Sequence, residues 1–373
     1  MDSCPFRLYD GGREAFPALL SAIEKAKETI EIHMFVWRED TVGREVAEAL
    51  LSAAERGVKV RIVKDSYGAV LERAEESRLS FLHRRVGPSV LLKAALLSRL
   101  YAREAGRPRR QKESELYLRF FSHENITVEA DRCLADHSKY YIFDGSLLFL
   151  GSMNIEDKER EHDLLGRIYG GYMVSFSGKA YVDALLAARL GRPQDGARGC
   201  RFLVNCKESR LFQMEEHYLS LIASAKTELL IVMPYLSPLP RFLGAITDAA
   251  RRGVRVRILI PRRANYQSNS NLLAMKTLLR EGEGRIAVYL SEKMMHAKLV
   301  LTEERVSLGS CNITKKAFRQ LDETNVEIPI TDSHFCRTLL ASLEGELSEA
   351  RCLYDGKELS YRPIIARLEG LLV

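Results

Sequence analysis

The chain reads as an α/β protein made of two similar lobes, and three observations predict this. Strand-like apolar runs alternate with amphipathic helix-like runs along its length. Three sequence landmarks recur in the same order in the two halves, the signature of an internal repeat of domain size. A length of 373 residues is ample for two hydrophobic cores. The expected organisation is a first domain at 1–190, a connector rich in Gly and Pro at 191–201, and a second domain at 202–373.

Each element follows from its residues. Segments 14–27 and 212–225 space apolar side chains as amphipathic helices do. Short apolar strands come next, Ile30–Val36 and Leu229–Met233. The lead-ins Ala26–Ile32 and Ala225–Ile231 are the first matched landmark. A second helix, near 43–55 and 241–251, ends at Gly57 or Gly253, where a left-handed cap suits glycine. The second landmark follows, Arg56–Ile62 against Arg252–Ile258, a strand alternating basic and apolar residues. Strands are also expected at Lys139–Phe143 and Leu147–Leu150, and at Lys298–Leu301 and Val306–Leu308.

The third landmark carries chemistry. One copy reads His137-Ser138-Lys139, then Asp144, then Gly151-Ser152-Met153-Asn154. The other reads His296-Ala297-Lys298, then Glu303, then Gly309-Ser310-Cys311-Asn312. A lone His-x-Lys is most often an exposed basic strand; two copies with the same downstream block are not coincidence. A phosphodiester resists attack because its oxygens are negative. Lys139 and Lys298 suit neutralising that charge, and Asn154 and Asn312 suit donating hydrogen bonds to the same oxygens. One imidazole can attack phosphorus while the other protonates the departing alkoxide. Two ammonium groups then take the part of a metal, so no metal and no cofactor is expected.

A nucleophilic imidazole needs an acceptor to hold its second nitrogen. Asp163 lies 26 residues after His137 and Glu323 lies 27 after His296, which makes them candidates for that task. Asp144 and Glu303 are then structural acids that fix the strand and loop. The other six histidines lack matching context. Cys311 is matched by Met153, which argues against a nucleophilic thiol.

The halves differ in one respect. Arg56 and His137 are 81 positions apart and Arg252 and His296 only 44, so the first half carries about 37 extra residues, placed at about 75–115. From Arg78 to Lys112 ten Lys and Arg face one acid, Glu104. Val90–Tyr101 is largely apolar, and Pro88 suits a helix start. Such a helix would be roughly 20 Å long, too short for a bilayer core of about 30 Å. It could lie in the interface, with Arg84, Arg85, Lys93, Arg99 and Arg103 reaching lipid phosphates, or simply pack as a solvated hairpin.

Bulk properties bound the rest. Hydrophobic content of 46% and charged content of 28% describe an ordinary globular protein. A net charge of +6 favours anionic partners without choosing between nucleic acid and lipid. Seven cysteines without C-x-x-C spacing give no zinc site or disulfide framework and fit a reducing compartment. The segment Met1–Pro5 lacks a signal-peptide pattern, and no apolar run of about 20 residues occurs, so a cytoplasmic location, peripheral on the inner membrane, is expected.

The paired blocks resemble the His-Lys-Asp signatures of the phospholipase D superfamily, and within it the bacterial cardiolipin synthases. Supporting stretches are Phe6–Gly11, Met34–Asp40, the two Arg-Gly-Val-x-Val-Arg-Ile runs and Met295–Lys298. The likeness runs over roughly residues 6–350 and leaves the basic insert without a counterpart. It implies two phospholipase D-like lobes, each a mixed β-sheet flanked by helices, related by a pseudo-twofold axis with the active site in the seam. It also implies a phosphohistidine on His137, with His296 as acid and base, and carries over Ser152, Asn154, Ser310 and Asn312 as phosphate-binding residues. Two departures stand out. Glu303 replaces the usual aspartate, and the N-terminal transmembrane helices of many relatives are missing from the sequence, so membrane contact is expected from the surface.

The leading expectation is transfer of a phosphatidyl group between two phosphatidylglycerol molecules on an anionic bilayer, giving cardiolipin and glycerol. A hydrolytic phospholipase D is an alternative that residues alone do not separate. A nuclease is a second; against it, the insert lacks the aromatic interleaving of a strand-stacking platform. An inactive membrane-binding relative is disfavoured because every catalytic residue type is present.

Overall fold

Strands and helices alternate as the residue pattern dictates, in a computed structural model that describes residues 5–75, 79–101, 114–130, 135–163, 166–197 and 199–372. The chain divides into two compact units, Pro5–Asp183 and the residues from Ala184 onward.

The first unit opens with β1 (Phe6–Asp10), α1 (Gly12–Lys25), β2 (Thr29–Met34), α2 (Thr41–Glu55) and β3 (Lys59–Lys64). Three helices follow, α3 (Gly68–Ala74), α4 (Pro88–Tyr101) and α5 (Glu115–Ser122). Next come β4 (Ile126–Glu129), β5 (Tyr140–Phe143), β6 (Leu147–Gly151), α6 (Asp157–Arg160), β7 (Tyr169–Gly170) and β8 (Tyr172–Ser177). Helix α7 (Lys179–Arg189) carries the chain across the division. The sheet order is β1-β8-β6-β5-β2-β3-β4. Strands β2, β3 and β4 are parallel, and the other pairings are antiparallel.

The second unit repeats this plan. It contains β9 (Arg201–Cys206), β10 (Leu211–Phe212), α8 (Met214–Ser224), β11 (Glu228–Val232), α9 (Pro240–Arg251) and β12 (Arg255–Pro261). It continues with α10 (Ser268–Glu281), β13 (Ile286–Ser291), β14 (Met294–Met295), β15 (Leu299–Thr302), β16 (Arg305–Gly309), α11 (Lys315–Arg319) and β17 (Glu323–Pro329). It closes with α12 (His334–Glu349), β18 (Arg351–Leu353) and α13 (Pro363–Leu372). The sheet order is β10-β9-β17-β16-β15-β11-β12-β13-β18, with β11, β12 and β13 parallel.

Burial explains the pattern. Helix α1 turns Ala15, Phe16, Leu19, Ala22 and Ile23 inward, and α2 turns Val42, Val46 and Leu50 onto the same core as Ile30, Ile32, Val60 and Ile62. The Asp40 side chain caps α2 by accepting from the Gly43 N–H at 3.0 Å. Beyond α2 and α9 the glycines expected to cap them, Gly57 and Gly253, adopt φ of +95° and +90°. In the second unit Phe202, Ile231, Ile258, Val288, Leu299, Val326 and Leu339 form the buried counterpart.

The extra residues of the first half sit between β3 and β4. Among the described residues three helices occupy that crossover, where α10 alone connects β12 to β13. Helix α4 starts at Pro88, as a proline at the first helical position favours.

Candidate active site

In each unit a β-hairpin brings the two parts of the repeated block together. Tyr140 pairs with Leu150 across β5 and β6, so His137–Lys139, before β5, and Ser152–Asn154, after β6, share one end of the hairpin. That end lies at the carboxyl edge of β2, since Tyr140 also pairs with His33. Ligands of open α/β sheets gather outside such edges. The Lys139 ammonium donates to the His137 carbonyl at 2.7 Å, and the Gly151 N–H donates to the Lys139 carbonyl at 3.2 Å. The second unit repeats the arrangement: Lys298 Nζ donates to the His296 carbonyl at 2.7 Å, and the Gly309 N–H to the Lys298 carbonyl at 3.2 Å. Both glycines are required. A Cβ at Gly151 would stand 2.3 Å from the Tyr172 carbonyl oxygen, and one at Gly309 would stand 2.3 Å from that of Thr324. Both histidines, both lysines, both serines and both asparagines are buried.

Asp144 and Glu303 occupy the opposite end of their hairpins, at the turns, so neither reaches the His-Lys end of its own lobe. Asp144 adopts φ +47° ahead of Gly145, a two-residue turn suited to Asp-Gly. Its carboxylate accepts from the backbone N–H groups of Lys27, Glu28 and Thr29. Glu303 does the same for Lys226, Thr227 and Glu228. Burial pulls each acid upward, but the amide donors outweigh it; Asp144 is held below the usual range and Glu303 lies at about 2. These acids tie the hairpin turn to the start of the central strand.

The matched offsets of Asp163 and Glu323 do not correspond to matched positions, and the expectation built on them needs correcting. Gly151 pairs with Met173 and Gly309 with Asn325, so Glu323 is level with Gly171. Asp163 instead sits in a loop where Arg167 holds it: Nε donates at 2.7 Å, Nη2 lies at 2.6 Å, and the Arg167 N–H donates at 2.8 Å. Glu323 accepts from Ser310 Oγ at 2.5 Å, and Ser310 Oγ in turn accepts from the Thr324 N–H at 2.9 Å. In the first unit Ser152 Oγ instead meets main chain, accepting from the Tyr172 N–H at 3.2 Å and donating to the Tyr172 carbonyl at 3.4 Å. Burial and the neighbouring Glu323 push the Cys311 thiol well up, which keeps it protonated and inert.

Several residues around the first block escaped the sequence reading. Phe35 stands edge-on to the His137 ring at 4.6 Å, and its ring centroid is 5.2 Å from Lys139 Nζ. Asn154 Nδ2 donates to Glu156 Oε1 at 2.9 Å, and its N–H donates to Glu159 at 3.1 Å. Glu156 Oε2 is met by Arg38 Nε at 2.7 Å and Lys158 Nζ at 3.3 Å, and Glu75 closes the cluster from the other side of both cations. A signal was present in the run Trp37-Arg38-Glu39-Asp40, an arginine directly after a buried strand, which is exceptional unless paired.

The basic insert divides by burial. Arg84 is not available to lipid: it is buried, ion-paired with Glu39 at 2.6 Å, bonded to Ser114 and stacked 4.0 Å over the Tyr117 ring. Arg85, Lys93 and Arg99 are exposed. Arg103 lies outside the described residues. Helix α4 packs Val90, Ala94 and Leu97 against Tyr67, Val70 and Ala74, which leaves Leu91, Leu92 and Leu96 exposed on its other side. Tyr67 lies 6.1 Å from the Phe35 ring, so the helix stands beside the His137 block. Among the described residues no helix is long and apolar enough to cross a membrane.

Comparison with known proteins agrees with this geometry. Cardiolipin synthase B of Shigella flexneri is 27% identical over 361 residues, covering 91% of this chain and 79% of that protein. The major cardiolipin synthase of Bacillus subtilis is 23% identical over 381 residues, covering 96% and 72%. The crystal structure of phosphatidylserine synthase from Haemophilus influenzae Rd KW20 shares the fold, with a TM-score of 0.66 at 15% identity over 98% of this chain and 92% of that one. A family profile described as "Cardiolipin synthase, PLD-like domain" matches residues 19–164 and 218–344, which is well over half of the sequence, and the chain therefore belongs to this phospholipase D-like family.

Proposed function

We propose that the chain is a phosphatidyltransferase that joins two phosphatidylglycerol molecules into cardiolipin and releases glycerol. The observation that carries the reading is the repetition of one constellation, His-x-Lys with Gly-Ser-x-Asn at the same end of the same hairpin, in both lobes of a cardiolipin synthase-family chain.

In this reading His137 attacks the donor phosphorus, the phosphorus–oxygen bond to the departing glycerol breaks, and His296 protonates the leaving alkoxide. His296, now neutral, takes the proton of the incoming hydroxyl, whose oxygen displaces His137 from phosphorus. Lys139, Lys298 and the Asn312 amide balance the charge on the phosphoryl oxygens; Asn154, expected from the sequence to donate there as well, has its Nδ2 committed to Glu156, and Ser310 Oγ donates to Glu323. Glu323 acts through Ser310 as a positioning residue. Exposed Leu91, Leu92 and Leu96 with Arg85, Lys93 and Arg99 would seat the protein peripherally on an anionic leaflet, on the cytoplasmic face of the inner membrane, beside the first block.

The test is a product assay on phosphatidylglycerol vesicles with an oligonucleotide control. Cardiolipin and glycerol are expected, His137→Ala should form neither, and His296→Ala should trap a covalent phosphoenzyme. Phosphatidic acid as the main product would replace transfer by hydrolysis. Cleavage of the oligonucleotide without lipid turnover would replace both by a nuclease.

A further inference from the structure

The two asparagines that the repeat makes equivalent are not held equivalently. Asn154 Nδ2 is committed to Glu156 Oε1, whose other oxygen lies between the Arg38 guanidinium and the Lys158 ammonium. A carboxylate only accepts, so the nitrogen end of the Asn154 amide must face it and the carbonyl end must face away. Asn154 Oδ1 is buried and has no hydrogen-bond partner among the described residues. In the second unit the corresponding positions are Ser237 for Arg38 and Thr314 for Glu156, because Trp37 pairs with Ile155 as Leu236 pairs with Ile313. Thr314 is spent capping α11 and offers no carboxylate to hold Asn312 Nδ2, and Asn312 Oδ1 is buried without a hydrogen-bond partner among the described residues. Asn312 is therefore able to turn either end toward a ligand.

We infer that Glu156, braced by Arg38 and Lys158, fixes Asn154 as an acceptor, and that its Oδ1 receives a hydroxyl adjacent to the attacking one on a polyol acceptor. This rests on the reading that the site transfers a phosphatidyl group, and it names what selects the acceptor. The attacking hydroxyl has a single proton, which goes to the base; a second hydroxyl on the neighbouring carbon is free to donate to Asn154. Water and simple alcohols lack that second donor and leave a buried acceptor unsatisfied.

Substitution of Glu156 by Gln makes a specific change. Arg38 and Lys158 are both donors, so the glutamine carbonyl turns to them and its NH2 faces Asn154, which must then rotate its own amide. The experiment supplies phosphatidylglycerol vesicles with equal 1,2-propanediol and 1-propanol and measures the ratio of the two phosphatidyl products. The wild type should favour the diol by about tenfold, the cost of one unmet buried acceptor. In Glu156→Gln the ratio should fall toward one. Asn154→Ala should give the same fall without disturbing the ion cluster, and covers the case in which the glutamine variant fails to fold. A ratio near one in the wild type, or an undiminished ratio in Asn154→Ala, overturns the inference and leaves phosphatidyl transfer standing. Absence of both products with wild-type protein overturns the transfer reading and this inference with it.

Discussion

Replacing Leu91, Leu92 and Leu96 by serine tests whether α4 seats the protein on lipid. The three residues are 50%, 73% and 53% exposed, so together they offer nearly two leucine side chains for burial. At about 2 kcal/mol per leucine removed from water, that contributes about 3.5 kcal/mol. Arg85, Lys93 and Arg99 add about 1 kcal/mol each near an anionic surface. The total of about 6.5 kcal/mol corresponds to a partition constant of order 10⁴–10⁵ M⁻¹, similar to a single myristoyl chain. The serine variant should bind phosphatidylglycerol vesicles a few hundredfold more weakly in a sedimentation assay, since each 1.4 kcal/mol is tenfold. Neutral vesicles should bind the wild type about a hundredfold more weakly. Folding should be untouched, because the opposite face of α4, with Val90, Ala94 and Leu97, makes the packing contacts. A well-folded serine variant that binds within threefold of the wild type would refute the reasoning.

Other outcomes follow from the same contacts. Arg84→Ala should leave vesicle affinity within about twofold of wild type, yet lower stability in urea by about 1–3 kcal/mol, because it removes the cation paired with the largely buried Glu39 carboxylate and leaves the Ser114 hydroxyl bonded to it. Asp144 and Glu303 have depressed folded-state values, so their stabilisation is present above the unfolded carboxyl range and is lost as pH falls from about 4.5 toward 2. Both are largely exposed, so each is worth about 1 kcal/mol or less; urea midpoints for Glu303→Gln should fall less steeply than wild type across that window. His217 is pushed down to about 4 by burial, with Arg201 and Arg305 adding to the effect. Its neutral form is thus favoured in the fold, nothing is lost above the unfolded value, and stability drops by about 3 kcal/mol as pH falls from 6.5 to 4. His217→Gln should flatten that part of the pH profile in calorimetry.

What could be read from the residues, and what could not, divides by range along the chain. The His-Lys and Gly-Ser-x-Asn parts of each block are joined by one hairpin, so spacing alone placed them together and put the motif acid at the turn. The equivalence of Asp163 and Glu323 failed because an offset counts residues while a sheet counts register. Gly151 to Gly171 spans 20 residues and Gly309 to Glu323 only 14, so equal distances from the histidines land on different structures. One partner of Arg38, Glu156, is 118 residues away, and Arg84 is claimed by Glu39 and Tyr117 from segments that composition does not connect to it.

The second sheet adds β10 and β18 at its edges, and other differences between the lobes surround the repeated blocks. Arg38 and Glu156 stand against Ser237 and Thr314, Gly171 against Glu323, and three helices against α10. Burying Arg38 with Glu156 is costly to desolvate and brings little stability over an apolar pair. Drift alone would favour the cheaper Ser and Thr of the second lobe. In the proposed two-step transfer, a charged cluster that ends on Asn154 would instead set one lobe's block apart from the other's. One imidazole must bond to phosphorus while the other shuttles a proton, and identical surroundings would tune both to the same task. If that is why the lobes diverged, Arg38 and Glu156 replaced together by Ser and Thr should give a protein at least as stable as wild type and poorer at choosing its acceptor. Equal stability with undiminished selectivity would show the cluster to be structural.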